Sequence, residues 1–189
     1  MPPRPGPIVR VFILCGLPFA GKSTMGRALA DRFGLVHVEV DAAMAAQGFD
    51  FAARRPEKAD WLAAYTAGYR QLDTALAAGR SAVWDATSYR KGHRDRIRRI
   101  ATQRGAMHTV IHLATPEALA LGRRDRNRQV RRRPDVADED FATVAGDWQA
   151  PGEDESPLVY HPATPLADWL DATIAPLLAR DARPLEEPA

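Results

Sequence analysis

The sequence predicts a three-layer α/β domain built on a parallel sheet of about five strands. Three observations predict it. Short apolar runs, Val9–Cys15, Leu35–Val40, Ser81–Trp84, Ala106–Leu113 and Leu158–Tyr160, alternate with helix-period patterns along the chain, which is how successive βα units read. The first three runs end on Gly16, Asp41 and Asp85, and ligands of open parallel sheets sit beyond the carboxyl ends of the strands. The first run also leads into Gly16-Leu17-Pro18-Phe19-Ala20-Gly21-Lys22-Ser23, a match to G-x-x-x-x-G-K-[ST], and then into a helical pattern. Strand, glycine-rich turn and helix in that order aim backbone N–H groups and a positive helix end at one anion.

Each element follows from local chemistry. Residues 1–7 are proline-rich and read as a disordered tail, 8–180 as a single domain, and 181–189 as a second tail. After the loop, Met25, Leu29 and Phe33 share one face of a helix that Gly34 ends. Leu35–Val40 alternates and is β-branched, a second strand closing on Asp41, and a short alanine-rich helix follows. Pro56 opens a long helix with an apolar stripe of Trp61, Tyr65, Tyr69, Leu72 and Leu76, stopped by Gly79. That stripe reads as core, with cleft lining as the alternative.

Ser81–Trp84 is a third strand ending on Asp85, and Ala86-Thr87-Ser88 leads into a helix over 90–104. Its Ile97 and Ile100 face inward, and Arg90, Arg94 and Arg98 share the other face. Ala106–Leu113 is the fourth strand. Its His108 and His112 lie on one face without a third ligand nearby, so they read as satisfied histidines rather than a metal pair. Pro116 starts a helix that runs into the basic segment Arg123–Pro134. Asp138 caps the next helix, with Phe141, Val144 and Trp148 on a face; Leu158–Tyr160 is a short fifth strand, and 165–179 a final helix.

Composition excludes several classes. A chain of 189 residues with 46% apolar residues and a net charge of +2 suits one globular domain, and the charge alone does not argue for nucleic acid. The lysines are Lys22, Lys58 and Lys91; the rest of the positive charge is arginine, the side chain suited to bidentate phosphate contacts. Cys15 is the single cysteine, which leaves no disulfide framework or thiolate metal cluster. No secretory signal or membrane-length apolar run is present, so a cytoplasmic location without membrane contact is expected.

The chemistry then concentrates at strand tips. Residues Gly16, Leu17, Pro18, Phe19, Ala20, Gly21, Lys22, Ser23 and Thr24 form the expected nucleotide-phosphate cradle, with Lys22 on the β- and γ-phosphates and the Ser23 hydroxyl on Mg²⁺. Transfer to an acceptor needs a carboxylate for its hydroxyl proton, a further magnesium anchor and cations around the moving phosphoryl group. Asp41 is the candidate base, with capping of the Ala42–Ala46 helix as the bland alternative. Asp85 is the candidate for the magnesium shell or a hydroxyl contact, again with capping as alternative. The arginine run, a lid at about 122–134 in the notation of this chain, reads either as a solvated face or as phosphate contacts; without an anion its like charges repel.

At these residues the chain resembles the polynucleotide-kinase-like group of small P-loop kinases, AAA-type ATP-binding kinase-like proteins. The resemblance covers residues 8–160 and rests on Gly16–Ser23, Asp41, the Trp84-Asp85-Ala86-Thr87 turn with Arg94 after it, Arg126-Asn127-Arg128, and Pro151 followed by Glu155. It implies a P-loop NTPase domain with adenylate-kinase-like strand order, the third strand beside the first, and ATP with Mg²⁺ as donor. It also implies Asp41 as base, Asp85, Thr87 and Arg94 on the substrate side, and Arg126 with Arg131 as catalytic lid arginines. Two departures stand out: the group carries arginine three residues after the base, where this chain has Met44, and asparagine in the turn, where it has Ser88. Both turn the expectation from a 5′-hydroxyl nucleic-acid end toward a hydroxyl-bearing small molecule.

The expected activity is therefore ATP-dependent phosphotransfer to a hydroxyl, by a monomer or homodimer. The alternative is a P-loop ATPase or nucleotide-binding switch without an acceptor; Val83-Trp84-Asp85-Ala86 lacks the catalytic glutamate such switches place after the aspartate.

Overall fold

The structure is a computed structural model that describes residues 7–131 and 133–182. The N-terminal tail before Pro7 and most of the expected C-terminal tail lie outside those residues. Five parallel strands form one sheet in the order β2-β3-β1-β4-β5. They are β1 (Arg10–Cys15), β2 (Val36–Glu39), β3 (Ala82–Asp85), β4 (Met107–Leu113) and β5 (Leu158–Tyr160). The third strand lies beside the first, as expected.

β1 is central and every one of its residues is buried, which is why it reads as an unbroken apolar run rather than an alternating one. Its side chains nevertheless alternate between two cores. Val11, Ile13 and Cys15 face one layer, and Phe12 and Leu14 face the other, as the two-residue strand period requires. The first core is covered by α2 (Val40–Ala46), α3 (Lys58–Ala77) and α4 (Lys91–Gln103), the second by α1 (Lys22–Phe33) and the C-terminal helices. That makes three layers.

Several expectations are refined. In α3 the buried stripe is Ala64, Gly68, Leu72, Ala75 and Leu76, and Trp61 is 36% exposed. The reason is Trp84 of β3, whose indole stacks on Tyr69 at 5.2 Å and lies close enough to Gly68 that a Cβ there would meet it at 3.1 Å. Small residues make room for a large one. The helix over Asp138–Gly146 (α6) ends before Trp148, which packs instead against His112 at 5.6 Å.

The C-terminal helix is not one regular helix. Leu166–Trp169 (α7) passes into a π-turn over Leu170–Ile174 and then into Ala175–Asp181 (α8). Pro176 offers no N–H and its ring would crowd the carbonyl four residues back, so the wider turn accommodates it. The domain also runs past residue 180. Asp181 is 5% exposed and takes two bonds from Arg10 of β1, Nε to Oδ2 at 2.5 Å and Nη2 to Oδ1 at 2.8 Å. It belongs to the folded unit, not to a tail. Among the described residues no helix is long and apolar enough to cross a membrane.

Candidate active site

The loop after β1 is built to hold an anion. Gly21, at φ 106°, is the N-cap of α1 and makes no side-chain cap; its left-handed backbone turns the first N–H groups of the helix into the loop. Phe19 also has positive φ, 61°, with its ring buried. The loop is braced by neighbours: Gly16 N–H donates to the Thr87 carbonyl at 3.3 Å, Thr115 Oγ1 to the Ala20 carbonyl at 2.9 Å, and Arg123 Nη1 to the Phe19 and Ala20 carbonyls at 3.3 and 3.0 Å. Lys22 Nζ donates to the Gly16 and Leu17 carbonyls at 3.0 and 2.8 Å. Burial pushes its ammonium pKa down to about 8, against the pull of the Asp85 and Asp41 carboxylates.

The charges of both aspartates act on Lys22. Asp41 sits one position later in the architecture than expected. β2 stops at Glu39, α2 begins at Val40, and Glu39 rather than Asp41 is the N-cap residue. Asp41 is exposed to solvent. Desolvation by the surrounding chain, then the Asp85 and Glu39 charges, push its carboxyl above the usual range, while Lys22 and Arg133 oppose the shift. Tyr65 neighbours the same place: burial raises its phenol well above the ordinary value, and Tyr69, Asp41 and Tyr89 add to the effect.

Asp85 ends β3, buried, with Oδ2 3.0 Å from His37 Nε2. The Nε2 corner of the ring abuts α1 at Gly26, where a Cβ would come within 2.5 Å of Nε2; only glycine lets the ring reach the aspartate. His37, Glu39 and Asp85 bring one ligand atom each to within 4.8 Å of one another. The Ser23 hydroxyl and the carboxylate oxygens of Asp85 and Glu39 are hard donors of the kind Mg²⁺ takes, so the residues present fit that ion. Thr87 lies half-buried in the turn that follows.

The arginines divide differently from the expectation. Helix α5 runs over Glu117–Val130, so much of the expected lid is regular helix. Its Arg126, with Gly21, Thr24, Arg123, Arg133 and Tyr160, lines a cavity of about 600 Å³ beside the loop. Arg131 caps the helix in left-handed conformation at φ 48° and stands outside that lining. Arg133 takes its place: its guanidinium lies 4.3 Å from the Phe19 ring centroid and its charge acts on both Lys22 and Asp41. Asn127 holds the segment by donating to the Arg133 carbonyl at 3.0 Å.

Arg94 is the clear correction. It is 0% exposed and cannot touch a substrate. Its Nε and Nη2 each bond Glu155 at 2.7 Å, and its Nη1 bonds the Ser88 and Gln149 carbonyls at 3.0 and 2.9 Å. It therefore shares the inward face of α4 with Ile97 and Ile100, and pins the Asp85–Ser88 turn to the loop before β5. Ser88 adopts φ 47° there.

Sequence reasoning missed Arg123, Arg133, His37 and Glu39. The two arginines were inside the basic run, but nothing in a run of like residues says which ones face the loop. His37 and Glu39 carried a signal: they alternate on β2 four and two residues before Asp41.

A parallel sheet with this strand order, an anion loop after its central strand and carboxylates at the two neighbouring strand tips defines a kinase-like P-loop fold. The chain belongs to the AAA domain family, which matches residues 11–151. A shikimate kinase of Xanthomonas campestris pv. campestris is 35% identical over 133 residues, covering 65% of this chain and 67% of that protein. Among solved structures, a putative kinase from Chloroflexus aurantiacus superposes with TM-score 0.70 at 17% identity, covering 92% of this chain and 98% of that one. A gluconokinase from Sinorhizobium meliloti 1021 does so with TM-score 0.62 at 19% identity, covering 95% of each. Membership is shown at the level of a P-loop kinase family.

Proposed function

We propose that this protein moves the γ-phosphate of ATP to a hydroxyl of a small molecule. The observation that carries the reading is the shared electrostatic neighbourhood of Lys22, Asp41, Asp85 and Arg133, in which the loop lysine and an exposed carboxylate act on one another. In this reading the acceptor oxygen attacks the γ-phosphorus, Asp41 takes the acceptor's proton, and the bond to the β,γ-bridging oxygen breaks to release ADP. A carboxyl pushed upward by desolvation and by neighbouring carboxylates is a stronger base than an ordinary aspartate, which suits proton abstraction near neutral pH. Lys22, Arg126 and Arg133 meet the charge that spreads over the transferring group. Ser23, Asp85 and Glu39 would hold Mg²⁺, which when bound neutralises charge on the β- and γ-phosphates.

His37 and Gly26 orient Asp85, and Arg94 with Glu155 fixes the turn that carries it. The names of the shikimate kinase relative and the gluconokinase neighbour support a hydroxylated small molecule as acceptor. Following γ-labelled ATP tests the proposal: label is expected in a new small product when hydroxylated metabolites are supplied. Label only in free phosphate would favour an ATPase or switch, and label on 5′-hydroxyl oligonucleotides an end-healing kinase.

A further inference from the structure

We infer that Phe19 is a positioning residue: its ring face holds the Arg133 guanidinium beside the phosphate loop without neutralising its charge. The inference rests on the part of the phosphotransferase reading that puts Arg133 at the transferring group, and adds what keeps that side chain in place.

Phe19 departs from its surroundings in backbone and in side chain. Its φ of 61° lies in the left-handed region, where a bulky residue is an outlier and glycine is at ease. The neighbouring chain pins that backbone. Arg123 Nη1 donates to the Phe19 carbonyl at 3.3 Å, and the Ala20 N–H donates to the Leu17 carbonyl at 3.1 Å. The side chain is 4% exposed, yet among the described residues it joins neither of the two apolar cores. A buried aromatic on a strained backbone, outside any core, points to a use for the strain. The cation its ring meets is Arg133, whose guanidinium carbon lies 4.3 Å from the ring centroid.

The kind of partner matters. Arg124 and Arg128, earlier in the same basic run, are held by the Asp138 carboxylate at 2.9 and 2.8 Å. A carboxylate fixes a guanidinium but offsets its charge and occupies its donors. Among the described residues no such pair forms at Arg133. Asn127 holds its carbonyl at 3.0 Å, and the Phe19 ring holds its guanidinium. An aromatic face attracts a cation through its quadrupole and takes none of its N–H donors. Those donors stay available to phosphate oxygens in the cavity of about 600 Å³ that Phe19, Arg126 and Arg133 line together. A cation fixed beforehand needs no reorganisation as negative charge spreads over the transferring group.

Replacing Phe19 in the full chain with progressively fluorinated phenylalanines tests this, because fluorine drains negative potential from the ring face and nearly keeps its shape. The readout is the rate at which label leaves γ-labelled ATP, summed over organic product and free phosphate, with shikimate, gluconate or water as acceptor. ATP affinity is measured on the same samples. The rate is expected to fall stepwise, to about two- to fivefold below the parent for the fully fluorinated ring, the scale of one cation–π contact. Affinity is expected to stay within about twofold, since the contact acts on the transition state. Phe19→Leu should slow release by a similar factor, and by nothing further in an Arg133→Ala background, where the ring has no guanidinium to hold. A rate that ignores fluorination, or an equal loss from Phe19→Leu in both backgrounds, overturns the inference and leaves the phosphotransferase reading standing. Label found only in free phosphate overturns transfer to an acceptor, and the fluorination dependence of that release then decides the role of Phe19 separately. No release by the parent overturns both.

Discussion

Two arginine-rich segments of this molecule use the same side chain for opposite ends. On α4 and at its two caps, four arginines are consumed by acids: Arg94 by Glu155, Arg90 by Asp147, Arg98 by Asp95 and Arg104 by Asp73, while Arg96 lies over the Tyr69 ring. On α5 and the segment after it, Arg124 and Arg128 are likewise paired with Asp138, but Arg123, Arg126 and Arg133 face the phosphate loop and its cavity. The difference lies in the partners each helix meets, not in arginine density. Where packing supplies a carboxylate, arginine becomes framework. Where it supplies backbone carbonyls and a concave wall, arginine stays free for an anion.

The comparison breaks first at Arg94. Removing one partner of a buried pair strands the other, and typically costs about 3–5 kcal/mol, so Arg94→Ala should lower the thermal midpoint sharply or yield little folded protein. A midpoint within a few degrees of the parent would put Arg94 outside the framework. Arg133→Ala should do the converse: leave stability within about 0.5 kcal/mol and cut kcat by about 10²–10³, the usual loss for one preorganised charge at a transferring group. Thermal scans and turnover on the same samples separate the two, and a similar result for both would erase the distinction drawn here.

A smaller effect sharpens the donor side. Lys22 is a cation below its pKa of about 8 and neutral above it. Its attraction for the triphosphate is therefore complete at neutral pH and fades as pH rises through about 8, until bound phosphate restores the proton. ATP affinity measured from pH 7 to 9.5 should weaken by up to about tenfold per unit of added pH over part of that range, and the weaker affinity of Lys22→Ala should be flat. Equal slopes would mean another group governs the dependence.

Much of the fold was legible in the chain. The glycine loop between an apolar run and a helical pattern located β1 and α1, and alternating runs located the other four strands. Side-chain partners were less so. Arg94 read as an outward residue because its four-residue spacing matches Arg90 and Arg98, and only the distant Glu155 turns it inward. Trp61 read as core because it continues an aromatic stripe, whereas Trp84 claims the space and small residues of α3 meet it. Asp41 and Asp85 were legible as strand-tip acids, but the His37 contact depends on Gly26 in another element. Long-range pairs of this kind leave no periodic trace.

The central claim is that Asp41, whose charge acts on Lys22, accepts the acceptor's proton. Single-turnover transfer from γ-labelled ATP by Asp41→Asn, alongside its ATP affinity, tests it most directly. Affinity within about twofold of the parent and transfer slowed by at least about 10² is the expected result; transfer at the parent rate would contradict it.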